Sequence, residues 1–317
     1  MNETLAPLAD APSQPEQRPI AVVLNGAAGA LLSRADALEH VTDSFARAGL
    51  APEFVPLDAG TLPQRMTLAR RMDPCAVVVA GGDGTIACAA QALAGTETPL
   101  GILPYGTMNF LAKDLGIPVD APDAAARIVA EGRVREIDVG EVNGRVFLCA
   151  SMLGLPARIG RFREKERART KGLRLWTRVC IATLRFMRRT LPGQFVIEAD
   201  DGAHLVGASA ITVSVNPVDE PGRRALGRSC LADGELVVYV VDRLKVVDAA
   251  RLAASYLRGT WRSTPILHEF RAKTLTLRTG RPMLRVMNDG ENTLLKPPLT
   301  YRIRRKALRV FAPPPPA

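Results

Sequence analysis

Aromatic residues, histidines and paired cysteines are scarce in this sequence. Phe, Trp and Tyr make up 5% of its 317 residues, so a platform for stacking nucleic-acid bases is not expected. The five cysteines are odd in number and include no Cys-x-x-Cys pair, which argues against a disulfide framework or a zinc site. The three histidines are isolated from one another and show no metal-ligand spacing.

Long apolar stretches are also lacking. A membrane-spanning helix needs about 20 consecutive apolar residues, whereas the apolar series at 179–187 is interrupted by Arg185. The first 19 residues are polar and rich in proline, and no basic start followed by an apolar segment is evident. We therefore expect a cytoplasmic protein without a secretory signal.

Positive charge is concentrated in one segment. The formal net charge is +10, and residues 158–189 contain twelve basic and two acidic residues, so this segment accounts for the whole excess. At helical spacing its arginines share one face, and the opposite face carries tryptophan and aliphatic residues. Such a helix suits the surface of an anionic bilayer, and a packed helix with a solvated face is the alternative. The expected membrane contacts are Arg174, Trp176, Arg178 and Arg185.

The first part of the chain alternates between short apolar runs and helical patterns. Strands are expected at 20–24, 53–57, 75–80 and 100–103, and helices at 31–48, 63–72, 85–93, 107–115 and 122–131. This alternation predicts an α/β domain with a parallel sheet covered by helices on both faces.

From residue 134 onward strand-like runs follow one another with few helices between them. Strands are expected at 134–139, 145–150, 194–199, 209–215, 235–241, 274–278 and 283–287, and helices at 171–189 and 246–257. The pattern predicts an all-β, sandwich-like second domain. The predicted divisions are a tail at 1–17, an α/β nucleotide domain at 18–137, a β-rich domain at 138–312 and a proline-rich tail at 313–317.

Two loops after buried strands carry the strongest chemical signal. Residues 81–85 read Gly-Gly-Asp-Gly-Thr and precede a predicted helix, where backbone amides can approach phosphates closely. Asp83 is unfavourable beside a polyphosphate unless a cation lies between them, which indicates magnesium. An ordinary turn with Asp83 as a helix cap is the alternative. A second loop follows the strand expected at 100–103 and contains Gly106 and Thr107. If this strand pairs with the strand before Gly81, the second loop lies beside the same phosphates. Considered by itself, the second loop could be a simple β-turn followed by a helix cap.

Together these motifs resemble the catalytic domain of diacylglycerol and sphingosine kinases. The matching segments are Val-Val-Ala-Gly-Gly-Asp-Gly-Thr at 78–85, Leu-Gly-Ile-Leu-Pro-x-Gly-Thr-x-Asn at 100–109 and Ala-Lys-Asp-Leu-Gly-Ile-Pro at 112–118. Further matches at 137–147, 232–236 and 289–291 extend the resemblance over residues 18–312. It implies ATP- and magnesium-dependent phosphorylation of a lipid hydroxyl, such as that of diacylglycerol, in a cleft between the domains, with a last strand that returns to the first domain.

The resemblance also implies roles for individual residues. The nucleotide contacts are Asn25, Gly26, Gly81, Gly82, Asp83, Gly84, Thr85, Gly106, Thr107 and Asn109. The catalytic carboxylates are Asp83, Asp289 and Glu291, with Glu291 favoured as the general base and Asp138 as a further partner. A structural magnesium is implied at Cys230, Asp233 and Glu235.

The sequence departs from the family pattern in places. Residues 25–29 read Asn-Gly-Ala-Ala-Gly where the family usually has Asn-Pro-x-Ser-Gly, and Ala87 and Cys88 replace a frequent Asn-Glu. A degenerate regulatory member is therefore one alternative. An NAD kinase shares the first glycine loop but continues differently after it, and a nucleic-acid-binding protein is the non-enzyme alternative. We expect a lipid substrate, an anionic membrane surface and no nucleic acid as partners, and we leave the acceptor lipid and a homodimer open.

Overall fold

The N-terminal unit is built around four parallel strands. The computed structural model describes residues 18–26, 37–119, 121–167, 169–170, 172–189, 192–199, 202–219 and 227–314. The elements of this unit are β1 (Ile20–Leu24), α1 (Ala37–Arg47), β2 (Pro52–Phe54), α2 (Leu62–Arg71), β3 (Ala76–Gly81), α3 (Asp83–Leu93), β4 (Leu100–Pro104), α4 (Phe110–Asp114) and α5 (Pro122–Ala130). The strands pair in the order β2-β1-β3-β4. β3 and β4 are buried along their whole length, as continuous apolar runs require in a parallel sheet.

The C-terminal unit is dominated by antiparallel strands. Its elements are β5 (Val134–Val142), β6 (Arg145–Phe147), β7 (Ala150–Gly154), α6 (Leu155–Arg167), α7 (Gly172–Arg189), β8 (Gly193–Ala199), β9 (Gly202–Ala208), β10 (Ala210–Val215), β11 (Leu236–Val241), α8 (Val246–Leu257), a 3₁₀ turn (Trp261–Ser263), β12 (Leu267–Ala272), β13 (Thr274–Arg278), β14 (Leu284–Asn288), β15 (Glu291–Leu295) and β16 (Leu299–Phe311). One sheet has the order β12-β11-β10-β7-β14-β15. Its buried face shares a core with strands β8, β13 and β16 of the other sheet. The predicted fold class is confirmed.

The last strand connects the two units. β16 pairs antiparallel with β5 and β13, and Val310 lies beside Leu100 of β4 in parallel register. A bulge in β16 contains Lys306, which has a positive φ of 49°. The buried carboxylate of Asp138 accepts hydrogen bonds from the Lys306 amide and the Gly234 amide, each at 2.7 Å. Asp138 therefore stabilises the bulge, and its expected role as a hydrogen-bonding or magnesium partner at the active site stays a prediction.

Several elements differ from the sequence-based expectation. α6, β7, β9, β12 and β15 were not predicted, and β16 was expected only as the returning last strand that the resemblance implied. The first helix is described only over Ala37–Arg47, so residues 31–36 of its predicted span lie outside the described residues. α4 begins at Phe110 rather than at residue 107 because Asn109 takes a left-handed conformation, with φ 49°. Residue 138 lies inside β5, so the two units follow each other without a linker. No described helix is long and apolar enough to span a membrane.

Candidate active site

Two glycine loops meet at the carboxyl ends of β3 and β4. The Tyr105 amide donates to the Gly81 carbonyl at 2.9 Å, which holds the ends of the strands together. A Cβ atom on Gly82 would lie 3.1 Å from the Gly106 Cα, and one on Gly106 would lie 2.5 Å from the Gly82 Cα. Because the obstructing atoms are backbone, a side chain at Gly106 would force a loop to shift, and one at Gly82 would be tight. The contact explains why both residues are glycine.

Asp83 connects the first loop to the second. Its carboxylate accepts hydrogen bonds from the amides of Asn109 (2.9 Å) and Phe110 (2.7 Å), so Asp83 caps α4 rather than its own helix. The Asn109 side chain closes the second loop by bonding both the amide (3.0 Å) and the carbonyl (2.8 Å) of Gly106. Each Asp83 oxygen retains acceptor capacity for a further ligand, since an ionised carboxylate offers about four lone-pair sites.

The amino end of α3 presents its first amides to the same place. The Thr85 amide donates to the Gly82 carbonyl at 2.9 Å, so it serves the first helical turn, and a contact of Thr85 with phosphate stays a prediction. The amides at the start of a helix have no partner within it and favour anions, and here they belong to Asp83 and Gly84. The buried Thr85 hydroxyl instead accepts a hydrogen bond from Asn25 Nδ2 at 2.7 Å, which fixes the end of β1 against α3.

Gly26 and Thr107 lie at the periphery of these loops. Gly26 follows Asn25 in a turn, and a Cβ atom on it would meet no atom of the described residues within 4 Å. Thr107 is exposed at the tip of the second loop. Both therefore have space around them for a ligand, and their contact with ATP stays a prediction.

Glu291 approaches the first loop from the other unit. It follows the turn between β14 and β15, where Asp289 and Gly290 both have positive φ values of 48° and 94°. Such Asp-Gly pairs are typical of two-residue hairpin loops. A Cβ atom placed on Gly84 would lie 3.0 Å from Glu291 Oε1. The carboxylate of Glu291 and the loop of Asp83 therefore face the same cleft.

Asp289 has a different position from its neighbour. Its carboxylate accepts three backbone hydrogen bonds, from the amides of Leu148 (2.6 Å), Cys149 (2.8 Å) and Ala150 (3.1 Å). Burial raises the pKa of Asp289, whereas the three amides and the nearby Arg228 act in the opposite direction. A carboxylate with this many donors holds the hairpin against residues 148–150, and it is poorly placed to take a proton from a substrate.

Arg228 and Asp114 form a buried ion pair that the sequence reading missed. Arg228 Nε and one terminal nitrogen lie 2.9 and 2.8 Å from Asp114 Oδ2, and the two side chains are 3% and 6% exposed. The other terminal nitrogen donates to the carbonyls of Leu148 (2.7 Å) and Val215 (3.0 Å). The pair therefore joins α4, which Asp83 caps, to the segment that holds Asp289. In the sequence, the feature that pointed to this pair was the charged residue Asp114 within the segment Ala-Lys-Asp-Leu.

A second buried arginine was also missed. Arg65 in α2 is 5% exposed, and it donates to the carbonyls of Leu24 (2.7 Å), Val55 (3.2 Å) and Pro56 (2.9 Å). Burial lowers the pKa of its guanidinium. Arg65 therefore fixes the end of β1, directly before Asn25, and the segment after β2.

The second predicted magnesium site has a mixed environment. The Glu235 carboxylate forms an ion pair with Arg271 at 3.0 Å. Partial burial is the main cause that raises the pKa of the Cys230 thiol, and a hydrogen bond with Asp233 is the second. Within the described parts of the chain, no three His, Cys, Asp or Glu residues group closely enough to hold a metal ion. Magnesium at Cys230, Asp233 and Glu235 stays a prediction.

Two family models match most of this chain. Residues 19–142 match the model of the diacylglycerol kinase catalytic domain, and residues 151–312 match that of the YegS C-terminal NAD kinase beta sandwich-like domain. The chain belongs to the diacylglycerol kinase and lipid kinase family. Both halves of the cleft, including the Gly-Gly-Asp-Gly-Thr loop and the Glu291 hairpin, lie within the matched residues.

Individual relatives are similar to this chain over stretches of different length. A diacylglycerol kinase of Mycobacterium tuberculosis (strain CDC 1551 / Oshkosh) is 29% identical over 228 residues, which cover 68% of this chain and 70% of the relative. A diacylglycerol kinase of Bacillus subtilis (strain 168) is 43% identical over 74 residues, which cover 23% of this chain and 24% of the relative. The crystal structure of a diacylglycerol kinase from Bacillus anthracis str. Sterne superposes with a TM-score of 0.64 at 17% identity, covering 95% of this chain and 99% of that one. At this identity the structural likeness supports the fold alone.

Proposed function

We propose that this family member is an ATP- and magnesium-dependent lipid kinase that transfers the γ-phosphate to the hydroxyl of diacylglycerol or a related lipid alcohol. The observation that carries the proposal is the position of the Glu291 carboxylate against Gly84, at the amino end of α3. A proton acceptor and a phosphate-binding helix end thus face one cleft although they come from different units.

The amides of Gly82, Asp83 and Gly84 would bind the phosphates of ATP. Glycine at 82 and 106 brings the two loop backbones into contact, and this close approach leaves the floor of the site free of side chains. The anion would lie at the positive end of the α3 dipole, where a helix terminus stabilises negative charge. Asp83 fits a magnesium ion because its carboxylate keeps acceptor capacity beside the phosphate-binding loop. Such an ion, when bound, neutralises part of the charge on the phosphates.

Glu291 would act as the general base. It is exposed and, within the described part of the chain, no amide donates to its carboxylate. The lipid hydroxyl oxygen forms a bond to the γ-phosphorus while the bond from that phosphorus to the bridging β-phosphate oxygen breaks. ADP leaves with the bridging oxygen, and the hydroxyl proton passes to Glu291. A positioned base typically contributes about 10² to 10⁴ in rate.

The test is a phosphorylation assay with labelled ATP, magnesium and detergent-dispersed lipid alcohols, with product identified by mass spectrometry. We expect a phosphorylated lipid, and we expect Glu291→Gln to lower kcat by about 10² to 10⁴ while the affinity for ATP stays within about twofold. Glu53→Gln, on an exposed position of edge strand β2, is the matched control and should retain full activity.

Other outcomes separate the alternatives. Phosphorylation of NAD instead of any lipid would assign the chain to small-molecule phosphorylation. ATP binding without transfer to either class of acceptor would indicate a regulatory member. Full activity of Glu291→Gln would refute its role as the base.

A further inference from the structure

The outward face of α7 is an exposed apolar strip. Its members are Leu173 (81% exposed), Trp176 (58%), Ile181 (49%) and Leu184 (43%), with Cys180 exposed among them. Leu173, Trp176, Cys180 and Leu184 recur at spacings of three and four residues, so they form one line along the helix, and Ile181 lies beside this line on the arginine side. Adjacent exposed side chains of this number are more than scattered exposure, and such patches mark interaction sites.

The inward face of α7 is already satisfied. Val179, Ala182 and Met187 are buried. Phe186 contacts Phe162 of α6 edge to face, with ring centroids 6.1 Å apart. The helix is therefore held in place by its inner face, and the exposed strip is not needed for packing.

Arginines flank the strip on one side. Arg174, Arg185 and Arg188 are exposed, and the Arg178 side chain is 55% exposed although it pairs with Glu166 at 2.5 Å. A partner for this face must therefore have an apolar region that can bury the strip and negative charge that can pair with the arginines. An anionic bilayer has both, whereas a second copy of this face would place arginines against arginines.

α6 connects this helix to the active-site hairpin. In the orientation that satisfies its amide, the Asn292 side chain donates to the Ala157 carbonyl (2.9 Å) and accepts from the Arg161 amide (3.2 Å). Asn292 directly follows Glu291 in β15, so α6 rests on the strand that carries the proposed base. A surface bound by α7 would lie on the same unit as the acceptor side of the cleft.

We propose that α7 docks this protein on anionic lipid bilayers, with the exposed strip inserted at the interface and the flanking arginines at the headgroups. This inference rests on the proposed function for its biological purpose, because an enzyme that phosphorylates a lipid must reach that lipid in a membrane. Its physical basis is the exposed strip and the charge beside it, which do not depend on catalysis.

Fluorescence of the full chain, mixed with vesicles in the absence of ATP, tests the docking directly. The chain has two tryptophans, and Trp261 is 8% exposed, so a blue shift on binding would report Trp176. We expect the shift with phosphatidylglycerol vesicles but not with phosphatidylcholine vesicles, and we expect Trp176→Phe to abolish it. The vesicles should also protect Cys180 from a maleimide, while exposed Cys75 and Cys230 stay reactive as internal standards.

Charge variants supply the quantitative arm. Removing Arg174, Arg185 and Arg188 together by Gln substitution should weaken vesicle binding by about 100-fold, since each basic residue near the surface contributes about fivefold. The matched control is Arg70→Gln, Arg71→Gln and Arg133→Gln, which removes the same charge from exposed positions of the N-terminal unit. Phosphorylation of detergent-dispersed lipid should be unchanged in both triple variants, which separates docking from catalysis.

Three results would overturn the proposal. One is the absence of both the Trp176 shift and Cys180 protection with anionic vesicles. A second is equal weakening by the two triple variants, which would indicate attraction by net charge alone. The third is a Trp176 shift that follows protein concentration without lipid, which would identify the strip as a contact between copies of the chain. Loss of kinase activity in detergent would leave the vesicle result standing and would count against the proposed function instead.

Discussion

Removal of the Arg228 guanidinium should destabilise the protein far more than loss of an ordinary surface arginine. In Arg228→Met the Asp114 carboxylate, 6% exposed, would keep its charge without its partner. Breaking a buried pair in this way costs about 3–5 kcal/mol. The carbonyls of Leu148 and Val215 would also lose a donor, and each buried polar group left unpaired costs about 1–3 kcal/mol. We expect the free energy of unfolding to fall by at least 4 kcal/mol, a large part of the roughly 5–15 kcal/mol that a domain has.

Urea denaturation followed by circular dichroism and tryptophan fluorescence would measure this loss, with coincident curves as the check on two-state unfolding. Arg278→Met is the matched control because Arg278 pairs with Glu198 at 2.8 Å on the surface, with side chains 54% and 41% exposed. A solvated pair of this kind contributes little to stability, so this variant should unfold close to the parent protein.

The double variant Asp114→Leu/Arg228→Met completes a thermodynamic cycle. Because it removes both charges, its loss should be smaller than the sum of the two single losses by at least about 2 kcal/mol. Additive losses, or an Arg228→Met effect no greater than that of Arg278→Met, would refute the view that this pair links the two sides of the cleft.

Three further predictions follow from the loops and thiols. Gly106→Ala should weaken the binding of an ATP analogue more than tenfold in titration calorimetry, because its Cβ would meet the Gly82 backbone, whereas Gly280→Ala, with no atom within 4 Å, should not. Asp83→Asn keeps one of the two oxygens that cap α4, so the free energy of unfolding in urea should fall by about 1 kcal/mol. The variant should also lose the part of its ATP affinity that depends on magnesium, whereas an equal loss of ATP affinity with and without magnesium would restrict Asp83 to capping. Burial of the thiol raises the pKa of half-buried Cys149, so a disulfide reagent near pH 8 should modify it far more slowly than exposed Cys75, and equal rates would contradict the raised pKa.

The parallel sheet and the glycine loops were predictable because their signals are local. β1, β3 and β4 are short apolar runs that end in glycine or asparagine turns, and their alternation with helices fixes the carboxyl ends as the ligand edge. The Asp289-Gly290 turn carried an equally local hairpin signal, and β15 would have followed from it. The sequence reading used this segment only as a catalytic match and so missed the strand.

β16 could not be read from local pattern. Its first half alternates buried Leu299 and Tyr301 with exposed Arg302, as a half-buried strand should. The bulge around Lys306 then shifts the alternation, so that the strand resembles two short charged fragments. What holds the bulge is the carboxylate of Asp138, 168 positions earlier in the chain. A contact at this separation leaves no trace in a window of ten or fifteen residues.

The roles of Asp83, Asp289 and Glu291 could likewise be predicted only in part from sequence motifs, because they depend on which backbone groups lie nearby. A motif reveals that an acid is present at a turn, but the turn's own amides compete with any ligand for its oxygens. Asp289 bonds three amides and Asp83 bonds two, whereas Glu291 is exposed and lies against Gly84. Asp289 therefore holds the hairpin, Asp83 joins the two loops and keeps acceptor capacity for a cation, and Glu291 has a carboxylate available for chemistry. Ranking the acids in this way required knowing which backbone segments meet, and that depends on how the last strands return to the first unit.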